Sequence, residues 1–535
     1  MKNITTLAFS ALGILACMAA TPADWPVVAH GLDGNRYVKS SEITRANVVN
    51  LKKAWSYSFT DSGPFEDSPV VVGGTMYIAT PHDTIVALDP ASGAVRWTHA
   101  TNPHILQFAT NRGVAVADGR VFIGTNDGHV VAVAATDGHE LWSVLGVDDP
   151  SNSLFNAPAY AFGDEVLLGS TGGDYGNRGS VTAFNQQTGA VKWRWYTIPG
   201  PGEPGHDTWP ADTWKHGGAD PWSGLAVDSA TRVMYVVPGN PGPDLVDTGR
   251  RGLDLYANSI VALRIDAASP HVLWWRQLVR NDTHDLDVVM PPVLFDVSIN
   301  GVVRHLVATG DKAGTFWVFD RETGKRVYRV ALSYQTNIDV APNASGETTC
   351  PSHGGGIEYN GGAYDPVTNL FVVPSVDECA TWTLDPSVAE TGIVPYVPGK
   401  LYTGGALAKR THSVGWLTAI DMATGKIAWR RQLAFPGVGG ALLFASGVGF
   451  SSTLDGRFFA FDVRSGRELW SAQLGAAVTA APVAYVLNGR TYVAIASGNA
   501  GLQMIPGVPN ATGTTATITT FALPKTVGSS INPTR

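Results

Sequence analysis

Five segments, four of them containing glycine, concentrate the residues of this chain that could do chemistry. They read TGGDYGNRG at 171–179, WKHGGADPWSG at 214–224, YVVPGNPGP at 235–243, NDTHDLDVVM at 281–290 and TGDKAGTFWVFDRETG at 309–324. Between them they offer carboxylates, amides, an ammonium group and indoles. These groups move protons, hold hard cations or support flat ligands. Three histidines lie in or near the segments, His206, His216 and His284. They show no spacing of a histidine metal cluster and read as surface or channel residues. The chain has no Cys-x-x-Cys-His, so no covalent c-type haem is expected on it. An isolated loop carboxylate is usually a turn former or a solvated group. The loops acquire meaning from the elements that carry them.

Those elements repeat. Six eleven-residue stretches run from an apolar start through a polar stretch to Gly and end in an aromatic: 87–97 (ALDPASGAVRW), 132–142 (AVAATDGHELW), 183–193 (AFNQQTGAVKW), 318–328 (VFDRETGKRVY), 419–429 (AIDMATGKIAW) and 460–470 (AFDVRSGRELW). A degenerate copy ends near Trp274, and Trp55 supplies one more aromatic of the same kind. Asp or Asn suits a turn, Gly supplies a backbone angle other residues avoid, and the aromatic is large enough to dock on a neighbouring unit. Upstream of most copies lies a second strand pair, as in SPVVVGGTMYIAT (68–80), APAYAFGDEVLLGS (157–170), GALLFASGVGFSS (440–452) and APVAYVLNGRTYVAIAS (481–497). Four strands per unit in radial repetition is an all-β propeller, and eight anchors predict eight blades with tryptophan-docking repeats. Anchors are far apart between 193 and 274 and between 328 and 429, so those blades carry insertions. Inserted loops on a rigid scaffold commonly carry function. Helical periodicity is confined to a short polar segment at 41–51.

Net charge is −8 and the isoelectric point about 5.9, which argues against nucleic acid and anionic membrane surfaces as partners. No stretch beyond the N-terminus is long and apolar enough to span a bilayer. Residues 1–23 (Lys2, an apolar run from Ile4 to Ala20, then Thr21-Pro22-Ala23) read as a secretory signal. Cys17, in Ile14-Leu15-Ala16-Cys17, weakly resembles a lipidation site, although Leu15 is unusual there; otherwise it is lost with the signal. Two cysteines, Cys350 and Cys379, then remain, and in an exported chain they are expected to pair. The propeller is assigned to 24–524 and a flexible tail to 525–535.

Taken in order, the segments resemble the quinoprotein alcohol dehydrogenases, eight-bladed propellers that hold pyrroloquinoline quinone (PQQ) and a metal on the propeller axis. The resemblance runs from Asp24-Trp25 to about residue 505 and includes NRYVKSSEITRANVVNLKKAW at 35–55. It implies that Glu66 contacts the quinone and that Arg112 holds one of its three carboxylates, which a guanidinium fork suits. Thr171 with Gly172 and Gly173 would form the polar turn around another carboxylate, and Trp222 would stack under the ring system. Asp174 and Asn240 match the metal ligands, and hard oxygen donors suit calcium. Asp285 matches the base that takes the alcohol proton beside the metal, and Lys312 the cation beside the quinone oxygens. Asp287 stands where some members that bind a lanthanide in place of calcium carry an extra Asp, as do members without one. As alternate residues of an extended strand, Asp285 and Asp287 would share a face toward the metal. Cys350 and Cys379 fall where a family disulfide lies.

The sequence also departs from the family. Leu106-Gln107 occupy the place of an adjacent-cysteine ring, Asp174 replaces a usual Glu, Asp220 a usual Thr, Glu358 a common Asn and His284 a common Trp. The implied activity is an exported, PQQ-dependent alcohol oxidation, with electrons passed to an external acceptor, cytochrome c or a blue-copper protein. The alternative is a non-catalytic propeller scaffold of the cell envelope. Segments 199–213 and 380–400 are expected to govern which alcohol enters, polymeric or small.

Overall fold

The computed structural model describes residues 24–105, 109–247, 250, 252–266, 269–501, 507–509 and 515–525. The expected signal at 1–23, Leu106-Gln107 and all of the expected tail except Lys525 lie outside them. Eight antiparallel sheets follow one another around a ring. Seven blades are consecutive in the chain, beginning with 70–99 and ending with 442–473. The eighth joins both ends: Lys52–Ser58 is the outer strand beside Thr517–Ala522, Arg490–Ser497 and Val483–Leu487. Tyr37–Val38 adds a parallel fifth strand to the seventh blade.

Burial sorts the strands by position. Middle strands such as Thr75–Ala79 and Ile85–Leu88 are covered on both faces by neighbouring blades, so TMYIA and IVAL are buried throughout. Outer strands such as Glu140–Leu145 alternate between half-buried and exposed. The eight aromatic anchors all lie on outer strands. Six of them, Trp55, Trp97, Trp142, Trp274, Tyr328 and Trp429, donate to a backbone carbonyl of the next blade at 2.9–3.2 Å. The repeat glycines Gly93, Gly138, Gly189, Gly324, Gly425 and Gly466 face those same rings. A Cβ on any of them would come within 2.4–2.7 Å of the aromatic. The two exceptions have structural causes. Trp470 faces the closure blade, which has no turn joining its last two strands, and packs on Phe521 at 5.0 Å. Trp193 faces the degenerate copy and turns its Nε1–H to Glu165 of its own blade at 3.3 Å.

The segment 41–51 forms turns and one 3₁₀ turn, Val48–Asn50, rather than a helix. The Asn47 side chain accepts from the Thr44 backbone N–H at 2.7 Å and donates to the Glu42 carbonyl at 2.8 Å, in competition with helical bonds.

Strand alternation brings the start of each innermost strand and the end of the second strand to the same end of the ring. At that end the links between second and third strands are short in the first two blades, 80–84 and 125–128. They are long in the third and fourth, 170–179 and 237–258. In the sixth blade Leu370–Leu384 and Gly405–Asp421 extend as a ribbon. The Cys350–Cys379 disulfide, S–S 2.01 Å, ties this ribbon to the strand Glu347–Thr349, as expected.

Candidate active site on the propeller axis

All eleven residues singled out in the sequence for cofactor or metal line one cavity. They are Glu66, Arg112, Thr171, Gly172, Gly173, Asp174, Trp222, Asn240, Asp285, Asp287 and Lys312. They come from five blades, on links that enter an innermost strand or join the second strand to the third.

One side of the cavity is built to receive an anion against a flat face. Arg112 is buried, 2.7 Å from Glu66, and donates to Asn156 Oδ1 at 2.8 Å. Thr171 Oγ donates to the same Asn156 oxygen at 2.8 Å, so one amide fixes both groups. The Arg112 guanidinium lies 4.6 Å from the Trp222 ring centroid, and Lys312 Nζ lies 5.7 Å from it. Tyr359 sits 5.7 Å from Trp222 and anchors its hydroxyl on the Thr479 carbonyl at 3.0 Å.

The other side is acidic. Lys312 Nζ bridges Asp285 at 3.0 Å and Asp287 at 2.6 Å. Asp287 Oδ1 also accepts the Asn240 backbone N–H at 2.7 Å. That approach requires Gly239, where a Cβ would meet the same oxygen at 2.2 Å. Asn240 Nδ2 donates to Asp244 at 3.0 Å, so its amide oxygen is the atom left for a cation. Asp174 lies in the turn Gly173–Tyr175, its carbonyl accepting from Tyr402 N–H at 2.6 Å.

Asp285 is held in a left-handed conformation, φ 56°. A side chain tolerates that region at a cost and persists there when its surroundings impose it. Here Asp282 imposes it. One Asp282 oxygen accepts His284 N–H at 2.9 Å and the other accepts Leu286 N–H at 2.7 Å, while Asn258 braces the carboxylate at 3.0 Å. Asp285 and Asp287 therefore converge on Lys312 through a turn, not as alternate residues of a strand. The same turn overturns the expectation for His284. It is fully buried, its Nε2 2.9 Å from the Val340 carbonyl, and it is neither at the surface nor among the residues lining the cavity.

Burial raises the Asp285 pKa well above the usual carboxylate range. Lys312 opposes this, and the charges of Asp287, Asp244 and Asp174 add to it. For Lys312, burial acts downward, but Asp285 and Asp287 outweigh it and hold the ammonium well above its ordinary value. Among the described residues no three His, Cys, Asp or Glu side chains already surround a common point as a metal cage. Asp174, Asp244, Asp285 and Asp287 nevertheless repel one another with Lys312 as the cation bonded to two of them. An added metal on the Asp174 carboxylate and Asn240 amide relieves that repulsion, and these hard oxygens suit it. The residues therefore fit both an acidic planar cofactor and a metal.

Asp244, Asn156, His353 and Tyr359 were missed by sequence reasoning. Asp244 had a signal, a carboxylate four residues after Asn240 in the same loop; the others had none. The segment between the two ribbon strands of the sixth blade reaches the third-blade loop. Tyr396 stacks on His216 at 3.7 Å, and Tyr396 and Tyr402 both pack against Gly176. The expected specificity segment 380–400 thus abuts the Asp174 loop.

An all-β ring of eight blades with an axial, tryptophan-floored, acid-rich cavity defines a class of cofactor-binding propellers. The family model described as PQQ: Glucose/ethanol/alcohol dehydrogenase, beta-propeller domain matches residues 25–337 and 332–493. The chain belongs to this family. It is 31 % identical to a quinohemoprotein alcohol dehydrogenase of Comamonas testosteroni, over 91 % of this chain and 74 % of that protein. It is also 31 % identical to 1-butanol dehydrogenase (cytochrome c) of Thauera butanivorans, over 97 % and 80 %. The structure of a europium-containing methanol dehydrogenase superposes with a TM-score of 0.84 at 26 % identity, covering 94 % of this chain and 98 % of that one.

Proposed function

We propose that this protein oxidises an alcohol to an aldehyde or ketone with PQQ and a metal ion in the axial cavity, and that it does so after export. The convergence of all eleven residues on one cavity carries this reading. A non-catalytic scaffold would have no use for a buried acidic cluster beside a tryptophan floor, and the family is one of dehydrogenases.

Bound PQQ supplies a carbonyl that accepts hydride, and the metal supplies Lewis acidity toward it. Trp222 supports the ring plane. Arg112, fixed by Glu66 and Asn156, takes a cofactor carboxylate, and Thr171 offers its hydroxyl beside it. Asp174 and Asn240 hold the metal. Asp285 accepts the hydroxyl proton of the alcohol, held in place by its contact with Lys312. Lys312 keeps Asp285 oriented and places positive charge where negative charge develops. The alcohol loses one proton and one hydride and leaves as the carbonyl compound. The electrons pass to an external acceptor, cytochrome c or a blue-copper protein.

Titration of the purified apo-protein with PQQ plus calcium, and in parallel plus a light lanthanide, tests the proposal, with reduction of an artificial dye by a panel of alcohols as the readout. Saturable, metal-dependent uptake with dye reduction is expected, and the metal giving the tighter complex assigns the role of Asp287. Absence of uptake with both metals would overturn the reading.

A further inference from the structure

Glu358 is a buried acid without a donor among the described residues. It lies on the link into the sixth blade, 4 % exposed, and both its carboxyl oxygens are buried with no hydrogen-bond partner among those residues, although the side chain lines the cavity. Asp220, the other unexpected acid in the wall, is different. Its Oδ1 accepts from Ser170 Oγ at 2.6 Å and from Asn177 Nδ2 at 2.9 Å, and among the described residues only its Oδ2 is buried without a partner.

The charged groups facing Glu358 from the surrounding links leave it poorly supported as an anion. Lys312 is committed to Asp285 and Asp287, and Arg112 to Glu66 and Asn156. Asp287, Glu66 and the fully buried Glu378 are themselves acidic. His353 accepts from Arg410 at 3.0 Å through Nε2, since a guanidinium can only donate, and is therefore a neutral imidazole. The Tyr359 hydroxyl donates its hydrogen bond to the Thr479 carbonyl. Burial first, and then Glu378, Asp287 and Glu66, push the Glu358 pKa up to about 8 against the pull of Lys312.

We infer that Glu358 meets the bound quinone as a neutral carboxylic acid and donates its proton in a hydrogen bond to an acceptor oxygen of that acidic ligand, so that cofactor retention depends on this proton. The inference rests on the PQQ reading above. Two unpaired anions would otherwise face each other in a low-dielectric wall, which is unfavourable. Ionisation of Glu358 should therefore expel the ligand, and an amide in its place should not.

The test is equilibrium dialysis of PQQ against the full chain at saturating calcium, near pH 6.5 and near pH 9.5, with melting curves as the folding control. Wild-type protein is expected to lose roughly tenfold in affinity at the higher pH relative to Glu358→Gln, which keeps a neutral donor. Glu358→Asn, a shorter amide donor, serves as a second neutral variant. Glu358→Ala is expected to bind roughly tenfold more weakly than wild type near pH 6.5, having no donor at all. Changes in Asp285 or Lys312 with pH affect every variant and cancel in the comparison. If both amide variants lose affinity in parallel with wild type, or if Glu358→Ala equals wild type near pH 6.5, the inference fails while the PQQ reading stands. If wild type takes up no PQQ at either pH, the PQQ reading fails and this inference with it.

Discussion

The rim and the axis of this propeller are built on opposite terms. At the rim, an outer-strand aromatic meets a glycine and a carbonyl of the next blade's repeated turn, and six of the eight anchors donate to that carbonyl. On the axis, Asp285 sits in a left-handed conformation, Glu358 has two buried oxygens without donors among the described residues, and Lys312 bridges two carboxylates. The rim is consistent at every level, from propensity to packing. The axis violates local preferences in several places at once, as expected where a scaffold holds a reactive site. Stability should therefore be concentrated in the rim and function in the axis, and substitutions can separate the two.

The largest effect is expected on the axis. Asp285→Asn removes the proposed proton acceptor and should lower dye-coupled turnover by roughly 10²–10⁴-fold. The fold should survive, because Asn tolerates φ near that of Asp285 well and Lys312 keeps Asp287 as its partner. Removing one of several mutually repelling carboxylates should leave the melting temperature unchanged or raised. A variant that is fully active would eliminate the base assignment. One that is inactive because it is unfolded would mean that the axis carries stability too.

Next comes the rim. Gly138 has φ +76°, and a Cβ there would lie 2.4 Å from the Trp97 ring. Gly138→Ala combines backbone strain with overpacking against a docked indole, at a cost of about 2–4 kcal/mol. Denaturant unfolding should show that loss, while PQQ affinity of the folded fraction stays at the wild-type value. Weakened cofactor binding in the folded protein would show that the rim and axis are mechanically coupled.

This division also explains what could be read from the sequence. The blade count, the anchors and the hairpins were legible because each is written several times over, with a turn chemistry that admits few residues. The axial loops occur once each, so no period exposes them. Their residues were found by resemblance to a family, which identifies Asp285 but says nothing of the Asp282 turn that sets its backbone. Asp285 and Asp287 were expected to share a face toward the metal as alternate strand residues, whereas they meet at Lys312 through a turn. Asn156, which links Arg112 to Thr171, and Glu358, which faces acids from other blades, depend on contacts around the ring that no local pattern encodes. The segment 41–51 misled for a related reason: a single side chain, Asn47, decides between helix and turn.

The smallest effect sharpens the comparison most. Trp142→Phe keeps a ring against Gly189 but loses the Nε1–H bond to the Gln186 carbonyl at 3.1 Å, and Trp429→Phe does the same at Val463, 2.9 Å. Each should cost about 1 kcal/mol. The two anchors join different pairs of blades and share no partner. If the rim is a sum of repeated joints, the double variant should equal the sum of the singles to within about 0.5 kcal/mol in denaturant unfolding. The axis predicts the reverse. Asp285 and Lys312 share a direct contact, and removing either changes the charge felt by Asp287, so Asp285→Asn and Lys312→Met should combine with a coupling energy of about 1 kcal/mol or more. Additive axial variants, or coupled rim variants, would erase the distinction between a scaffold of independent joints and a site that acts as one unit.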